Sequence, residues 1–430
     1  MARKMKDSGI EWIGEIPEDW EIVKAKYLFQ QRSTKGNPDS LTLLSPSQKY
    51  GVVPQELYEE LSGMSAVKLN QETDFAKLKT IKIGDFCISL RSFQGGFEYS
   101  NYSGVVSPAY QVFYGLKESF DHYYKHLFKD KGFIDKMNSY TMSLRDGKNI
   151  SFSDFGNSFI PYPPQKEQKI IANRIGIKTQ QIENIRNTIN KQIQTLEDYK
   201  KSVITEAVTK GLDPNVEMKD SGIEWIGKVP KHWEVKKGKY IFKQRNEKGN
   251  SIKLEQLSPT QEYGVIPQSM YEELSGMRAV KLNQSIDLNL LKSIYKEDYC
   301  ISLRSFQGGF EYSEYNGVVS PAYQVFYKSV PADDFYYKFL FKELGFIGKI
   351  NSYTMSLRDG KNIAFSDFGK TIIPYPPYEE QKCIGGYLTK FTKKVDEAIE
   401  TKQKQLEGLE EYKKSLIYEY VTGKKEVHEC

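Results

Sequence analysis

The sequence contains one long segment twice, and this duplication constrains the fold more than any other feature. Three blocks return 213 residues later: Asp7–Gly14 as Asp220–Gly227, Ile88–Ser100 as Ile301–Ser313, and Asn138–Ile150 as Asn351–Ile363. Between 5–163 and 218–376, 109 of 159 positions are identical and no gap is needed. A period this long is that of a whole domain rather than a solenoid repeat. The chain is therefore expected to form two similar lobes, and two copies of one surface predict a target that presents the same feature twice.

The composition is sufficient for two hydrophobic cores but does not identify a binding partner. The chain has 430 residues, of which 39% are hydrophobic, which is enough to bury a core in each lobe. Its formal net charge is only +5, from 61 basic and 56 acidic residues, so nucleic-acid binding would depend on local patches. The sequence shows no signal peptide and no run long enough to span a membrane, so we expect a cytoplasmic protein with no membrane partner.

The chain has few residues of the kinds that make catalytic or metal sites. Cys87 and Cys300 occupy equivalent positions in strand-like apolar runs, which favours reduced core thiols. Only four histidines are present, none at metal-ligand spacing, so we expect no metal. The sequence contains no GxxxxGK[ST], GxGxxG or GxSxG motif. We therefore predict a non-catalytic protein that binds no cofactor.

A double proline in each copy is followed by a helical pattern. Apolar residues recur there at alternating steps of three and four, which predicts a coiled-coil seam. The seam positions are Ile182, Ile185, Ile189, Leu196, Tyr199 and Val203 in the first helix and Val395, Ala398, Leu406, Leu409, Tyr412 and Leu416 in the second. Over this part, 165–211 against 378–424, only 18 of 47 positions are identical. We expect the two helices to pair antiparallel; the alternative is that each packs on its own lobe.

These patterns predict an α+β protein with two similar globular domains separated by two long antiparallel coiled-coil helices, in pseudo-two-fold symmetry. The expected boundaries are 1–163 for the first domain, 164–212 for the first helix, 213–376 for the second domain, 377–424 for the second helix and 425–430 for a tail.

One loop-like block in each copy has the composition of a base-reading segment. It follows an apolar strand pattern and contains two glycines, which allow close approach to a groove. Arginine and glutamine can read guanine and adenine edges with paired hydrogen bonds. Its candidate DNA-binding residues are Arg91, Ser92, Phe93, Gln94, Gly95 and Gly96, with Arg304, Ser305, Phe306, Gln307, Gly308 and Gly309 as the copy. The alternative is a Gly-Gly hairpin with a solvated arginine.

Two further blocks offer polar side chains at turns. The first contains Arg145, Lys148 and Asn149, copied as Arg358, Lys361 and Asn362, which could donate to phosphates or base edges. An ordinary polar turn is the alternative. The second, weaker block contributes Gln48 and Gln261, whose neighbours Lys49 and Glu262 differ in charge. A phosphate contact by Lys49 is therefore not expected.

Four motifs together resemble the specificity subunit of type I restriction-modification systems. They are the opening Asp7–Trp20, Gly104–Tyr110 (GVVSPAY), Pro163–Ile171 (PPQKEQKII) and its copy Pro376–Ile384 (PPYEEQKCI). The resemblance covers essentially the whole chain. Lys166 stands where members of the family often carry glutamate, a difference that we expect to be harmless.

The resemblance implies two target recognition domains, each binding half of a split DNA sequence, with the paired helices as a spacer. It also implies two modification subunits, which use S-adenosylmethionine to methylate adenine N6, and restriction subunits, which use ATP and Mg²⁺. None of that chemistry belongs to this chain. Because the two domains are nearly identical, we expect the target to be an interrupted palindrome. The alternatives are the specificity subunit of a fused cleaving-and-methylating system and a two-lobed protein-interaction scaffold.

Overall fold

The fold is taken from a computed structural model of the protein. It describes residues 3–36, 42–64, 77–88, 96–116, 121–140, 150–248, 254–277, 290–302, 309–353 and 363–427. In these residues the predicted α+β class, with two similar lobes and two long helices, is confirmed.

The first copy is built from short strands and helices. Its strands are β1 (Met5–Asp7), β2 (Glu15–Pro17), β3 (Glu21–Lys24), β4 (Phe29–Gln31), β5 (Leu44–Ser47), β6 (Gly51–Pro54), β7 (Lys79–Ile81), β8 (Phe86–Ile88), β9 (Phe97–Tyr99), β10 (Gly104–Val106), β11 (Gln111–Gly115) and β12 (Phe159–Tyr162). Its helices are α1 (Gln55–Ser62), α2 (Asp121–Leu127), α3 (Lys131–Ser139), α4 (Phe152–Asn157) and the long α5 (Gln165–Lys210).

The second copy repeats this order of elements. Its strands are β13 (Met218–Asp220), β14 (Lys228–Pro230), β15 (Glu234–Lys237), β16 (Phe242–Arg245), β17 (Leu257–Thr260), β18 (Gly264–Pro267), β19 (Lys292–Ile294), β20 (Tyr299–Ile301), β21 (Phe310–Tyr312), β22 (Gly317–Val319), β23 (Gln324–Lys328) and β24 (Ile372–Tyr375). Its helices are α6 (Gln268–Ser275), α7 (Asp334–Leu340), α8 (Leu344–Ser352), α9 (Phe365–Lys370) and the long α10 (Tyr378–Val421).

The largest sheet in each lobe has four antiparallel strands. Their order is β4-β11-β8-β9 in the first lobe and β16-β23-β20-β21 in the second. Ile88 pairs with Gln111 on one side and with Phe97 on the other. The end of β8 therefore lies beside the starts of β11 and β9, and this end of the sheet matters for the candidate site.

Alternate side chains of the sheet form one wall of an aromatic core, as expected from the period of two in a strand. The ring of Phe128 lies 5.6 Å from Phe29, 5.1 Å from Phe86 and 5.6 Å from Phe97. In the second lobe Phe341 has the equivalent position, 5.6 Å from Phe242. These aromatic rings thus serve the core, where edge-to-face contacts add to burial.

The opposite face of each sheet covers a smaller apolar cluster that contains Cys87 or Cys300. Both thiols are fully buried, and burial raises the pKa of each well above its ordinary value. A thiol that stays protonated and inaccessible is inert, as expected for a core residue.

Each long helix starts at the double proline because a glutamine caps the turn. Gln168 donates from its side-chain Nε2 to the carbonyl of Pro163, at 2.7 Å, and Gln381 does the same to Pro376, at 2.8 Å. Proline fits the first turn because its missing N–H would have no helical partner there. Helix α5 has 46 residues, so it is roughly 69 Å long at 1.5 Å per residue.

The chain divides into two compact units, and each contains parts of both long helices. The first unit comprises Met1–Ile189 and Gln403–Cys430, and the second comprises Asn190–Lys402. The sequence-based boundaries, by contrast, separate lobes from whole helices. The difference arises because the division follows contacts in space: the end of α10 packs on the first lobe, where Tyr123 donates to the carbonyl of Val421 at 2.6 Å.

The helix segments are antiparallel within each unit. In the first unit Glu183 of α5 bonds Lys413 of α10, at 2.9 Å. In the second unit Lys200 bonds Asp396 at 2.6 Å, and the earlier residue Gln192 bonds the later residue Lys402 at 2.7 Å. Residue numbers thus rise along one helix as they fall along the other. Lys402, which interrupts the apolar seam, has a polar partner.

The predicted seam positions are buried to different degrees. Ile182, Ile189, Val395 and Leu416 are buried, and Leu196, Val203, Ala398, Leu406 and Leu409 are partly buried. Ile185, Tyr199 and Tyr412 are exposed by 49%, 55% and 51%. Ile185 lies between the buried positions Ile182 and Ile189, so its exposure does not follow a steady rotation of the seam along the helix.

Candidate nucleic-acid interface

The two main predicted blocks lie almost entirely outside the described residues. These undescribed candidates are Arg91, Ser92, Phe93, Gln94, Gly95, Arg145, Lys148 and Asn149, and in the second copy Arg304, Ser305, Phe306, Gln307, Gly308, Arg358, Lys361 and Asn362. Gly96 and Gly309 are described, and both are buried immediately before a strand. The DNA-binding role of these residues therefore stays a prediction.

The residues on either side of the two blocks are described, and they share one core. Phe97, which follows the first block, lies 5.3 Å from Phe155. Phe152, which follows the second block closely, lies 5.8 Å from Phe113 and 5.9 Å from Phe155. Both blocks are thus continuous with segments fixed by the same aromatic cluster. The aromatic cluster thus brings together two flanking segments that are about fifty residues apart in sequence.

The third block belongs to a different part of the lobe. Gln48 is exposed in the turn between β5 and β6, and the next strand begins at Gly51, which packs against the backbone of Tyr99. Tyr99 ends β9, whereas Gly96 precedes it. The turn is therefore anchored at the end of β9 that lies away from the first block.

Gln261, the copy of Gln48, lines a cavity of about 690 Å³ in the second unit. Lys200 of α5 and Thr389 of α10 line the same cavity, together with Tyr312 and Lys338 of the lobe. Gln261 thus faces the helices of its unit. Phe310, which follows the first block in this copy, lines the same cavity, so the structure brings Gln261 together with one segment that flanks this block.

A pair of glutamines at the end of the main sheet was missed by sequence reasoning. Gln31 donates to the side chain of Gln111 at 2.5 Å, and Gln244 donates to Gln324 at 2.7 Å in the second lobe. Gln111 lies opposite Ile88, the last residue of β8. The amides are therefore at the strand ends next to the first block. Since the two glutamines are 80 residues apart in sequence, only the strand register reveals the pair.

The arginine near this end of the sheet is neutralised within the lobe. Arg32 bonds Asp85 through two nitrogens, at 2.6 and 2.8 Å, and Tyr114 lies 4.4 Å away under its guanidinium. The hydrogen bonds to Asp85 raise the pKa of Arg32 further above its ordinary value. Arg245 and Asp298 repeat the pair in the second lobe. A bidentate pair of this kind fixes geometry and leaves little free charge.

A second ion pair neutralises a buried carboxylate. Lys129 donates to Glu98 at 2.6 Å, and Lys342 donates to Glu311 at 2.6 Å. Burial raises the pKa of Glu98 and Glu311, although the lysines oppose the shift. Each of these lysines is therefore paired with a carboxylate of its own lobe.

The described residues contain no group of histidine, cysteine, aspartate and glutamate side chains that could hold a metal ion. Among the same residues, no helix is long and apolar enough to cross a membrane.

The family model described as the type I restriction modification DNA specificity domain matches residues 17–195 and again 230–408. The chain belongs to this DNA specificity family. The two matched regions follow the internal duplication, with one region in each copy. Members of the family supply sequence recognition to a restriction-modification complex; they are not themselves catalytic and hold no cofactor.

Relatives and solved structures agree with this membership. The chain is 27% identical over 434 residues to the putative type I restriction enzyme MjaX specificity subunit of Methanocaldococcus jannaschii, covering 96% of this chain and 95% of that one. It is also 27% identical over 433 residues to the MjaVIII specificity subunit of the same organism, covering 95% and 93%.

Two solved structures share the fold at low sequence identity. A chain from a study of complex assembly and conformational transition in the type I R-M system has a TM-score of 0.68 at 13% identity, over 95% of this chain and 99% of that chain. The HsdS subunit from Thermoanaerobacter tengcongensis has a TM-score of 0.54 at 14% identity, over 95% and 98%. At this identity they support the architecture alone.

Proposed function

We propose that this chain is a DNA specificity subunit that reads the same half-site twice. The observation that carries the proposal is the identity of the candidate reading segments: Ile88–Ser100 equals Ile301–Ser313, and Asn138–Ile150 equals Asn351–Ile363. Identical side chains in identical order offer the same donors and acceptors to base edges. Two such segments on different lobes favour two half-sites of the same sequence.

The side-chain pairs in the sheet beside the first of these segments are also the same in both lobes, which supports the proposal. The glutamine pair and the Arg–Asp pair recur with equivalent partners, at distances that differ by about 0.2 Å or less. Direct readout depends on geometry as well as on residue type, since a bidentate contact fails if its side chain is displaced. Equal side-chain pairs therefore favour equal base preference.

We infer that the two half-sites are inverted, as in an interrupted palindrome, with about three to five base pairs in each. The support is the antiparallel pairing of α5 and α10 segments within each unit. Each lobe contacts the start of the helix that follows it and the end of the other helix. Equivalent contacts with helices of opposite direction favour lobes that read opposite DNA strands.

The partners that we propose are double-stranded DNA, two methyltransferase subunits and the restriction subunits. The methyltransferase subunits would use S-adenosylmethionine to modify adenine N6, and the restriction subunits would use ATP and Mg²⁺. Exposed apolar side chains on the long helices are candidate docking points: Ile177, Ile185 and Tyr412 in the first unit and Tyr199 and Tyr387 in the second. Singly exposed apolar residues are common, so only their recurrence along helices supports this assignment.

The test is methylation mapping of DNA from cells that express the complete system, with a strain lacking this chain as the control. We expect modified adenines within one motif that consists of two inverted copies of a short sequence, separated by a spacer of constant length. Two unrelated half-sites would contradict the shared base preference of the lobes. Two copies in the same direction would contradict the inverted arrangement alone.

A further inference from the structure

Lys79 and Lys292 are half-buried lysines that occupy the same position in the two lobes. Lys79 donates to the backbone carbonyl of Tyr110, at 2.6 Å, and Lys292 donates to that of Tyr323. Among the described residues neither ammonium group has a carboxylate partner. This distinguishes them from Arg32 and Lys129, whose charges are balanced by aspartate and glutamate.

The ammonium group of each lysine can still donate further hydrogen bonds. It carries three donors, and the carbonyl accepts only one of them. Burial lowers the pKa of Lys79 and Lys292, which agrees with a charge that is partly desolvated and not compensated by an anion. Such a charge favours an external anion that can approach the group and complete its hydrogen bonds.

The position of these lysines in the sheet indicates which anion they would bind. Tyr110 immediately precedes Gln111, and Gln111 lies opposite Ile88, where β8 ends. Lys79 itself begins β7, opposite Val106 at the end of β10. The ammonium group is therefore at the strand ends next to the first predicted reading segment. The same register holds in the second lobe, where Lys292 lies opposite Val319 and Gln324 lies opposite Ile301.

We propose that Lys79 and Lys292 each bind one phosphate of the DNA backbone beside the half-site that their lobe reads. This inference rests on the DNA-recognition role proposed above and adds the residues that hold the backbone. A lysine acts on phosphate as a point charge, without sequence preference. The phosphate completes a site to which the described residues of the lobe contribute one carbonyl and no carboxylate. The two lysines then fix the register of the glutamine pairs and reading segments relative to the bases.

The proposal predicts a specific change in salt dependence. Each phosphate contact contributes about −0.9 to the slope of log K against log salt concentration. The double variant Lys79→Met/Lys292→Met should therefore reduce the steepness of that slope by about 1.8. Between 50 and 200 mM salt, the wild type would lose roughly 12-fold more affinity than the variant. The variant should weaken binding to target and non-target DNA by the same factor.

The experiment uses the full-length chain assembled with its methyltransferase subunits. The probes are a duplex that contains the mapped methylation motif and a scrambled duplex of equal length. Lys26→Met/Lys239→Met is the matched control, because it removes two exposed, repeated lysines that precede β4 and β16, at the opposite end of each sheet. This control should leave the slope nearly unchanged. Lys79→Arg/Lys292→Arg should keep the wild-type slope, since the charge is kept.

Two results would overturn the proposal. An unchanged slope in the methionine variant, with wild-type discrimination intact, would mean that the lysines are structural. A loss confined to the target duplex would mean that they read bases. If the methionine variant does not fold, Lys79→Gln/Lys292→Gln keeps a donor for the carbonyl and must show the same reduction in slope. The DNA-recognition role fails separately, if the wild-type complex does not prefer the target duplex.

Discussion

The indole nitrogen of Trp20 donates a hydrogen bond of 2.9 Å to Glu167, in the first turn of α5. Arg3 bonds the same carboxylate, so one glutamate joins the N-terminal segment, the tryptophan and the long helix. In the second lobe Glu380 instead bonds the exposed His232, at 2.8 Å, and the buried indole nitrogen of Trp233 has no partner among the described residues. The two lobes thus share a fold at this junction but not its hydrogen bonds.

This difference predicts unequal effects of equivalent substitutions. Glu167→Ala should destabilise the protein by about 1–3 kcal/mol, because it leaves the buried indole donor of Trp20 without its acceptor and leaves Arg3 with Asp19 as its carboxylate partner. Glu380→Ala should cost about 0.5 kcal/mol, since it removes only a partly exposed hydrogen bond to His232. Urea unfolding of the two variants, at pH 7.5, measures both effects. Equal costs would contradict the assigned hydrogen bonds.

His126 predicts a loss of stability in acid that is specific to the first lobe. Burial lowers its pKa to about 3, with smaller contributions from Lys125 and His122, and its Nε2 has no partner among the described residues. Because the unfolded histidine binds a proton near its ordinary pKa of 6.5, its contribution to stability is complete above that pH and is lost as the pH falls toward 3. The loss is at most about 1.4 kcal/mol per pH unit.

The second lobe supplies the matching variant, since Phe339 stands at the equivalent position. His126→Phe should stabilise the protein by about 1 kcal/mol at pH 7.5, by removing an unsatisfied polar atom. Its advantage over the wild type should grow as the pH is lowered from 6.5 to 5. His122→Phe, at an exposed position, is the control and should show no such growth. The free energy of unfolding in urea is measured for the wild type and His126→Phe at each pH. If the two change with pH in the same way, the lowered pKa of His126 is refuted.

Sequence patterns predicted those features of the molecule that depend on local order. The double prolines and the glutamine that follows them indicate where α5 and α10 begin, because the cap is formed within five residues. The duplication predicts two equivalent lobes, since closely similar sequences build similar sheets. The apolar seam predicts long helices, although Ile185, Tyr199 and Tyr412 are half-exposed.

Features that depend on strand register could not be predicted in this way. The Gln31–Gln111 bond and the Lys79–Tyr110 bond join residues that are distant in sequence, and a shift of one residue would point each side chain to the other face. The surroundings of Gln48 and Gln261 could not be predicted from the sequence either. Their turn resembles the other polar blocks in composition, but Gln261 faces the long helices.

Substitution by alanine should change the stability of the protein in opposite directions at two glycines, Gly408 within α10 and Gly423 just after it. Gly423 has a φ of +73°, and a β-carbon there would lie 2.5 Å from the Pro17 ring, so Gly423→Ala should cost about 1–2 kcal/mol. Gly408 is exposed inside the helix with nothing within 4 Å of such a carbon, so Gly408→Ala should add about 0.5–1 kcal/mol. Thermal unfolding compares the two. Stabilisation by Gly423→Ala would mean that the helix end is not packed on the first lobe as described.

Arg91 and Arg304 allow base reading to be separated from phosphate binding. Both residues lie outside the described part of the chain, so the prediction comes from their position in the repeated block. If each forms a bidentate contact with guanine, Arg91→Ala/Arg304→Ala should cost about 1–3 kcal/mol per half-site on the target duplex and relax the base preference at one position. Binding to scrambled DNA should change little. The single variants should affect one half-site each, which methylation mapping with half-substituted targets would detect. A uniform loss on all DNA, with a shallower salt slope, would instead assign these arginines to the backbone, together with Lys79 and Lys292.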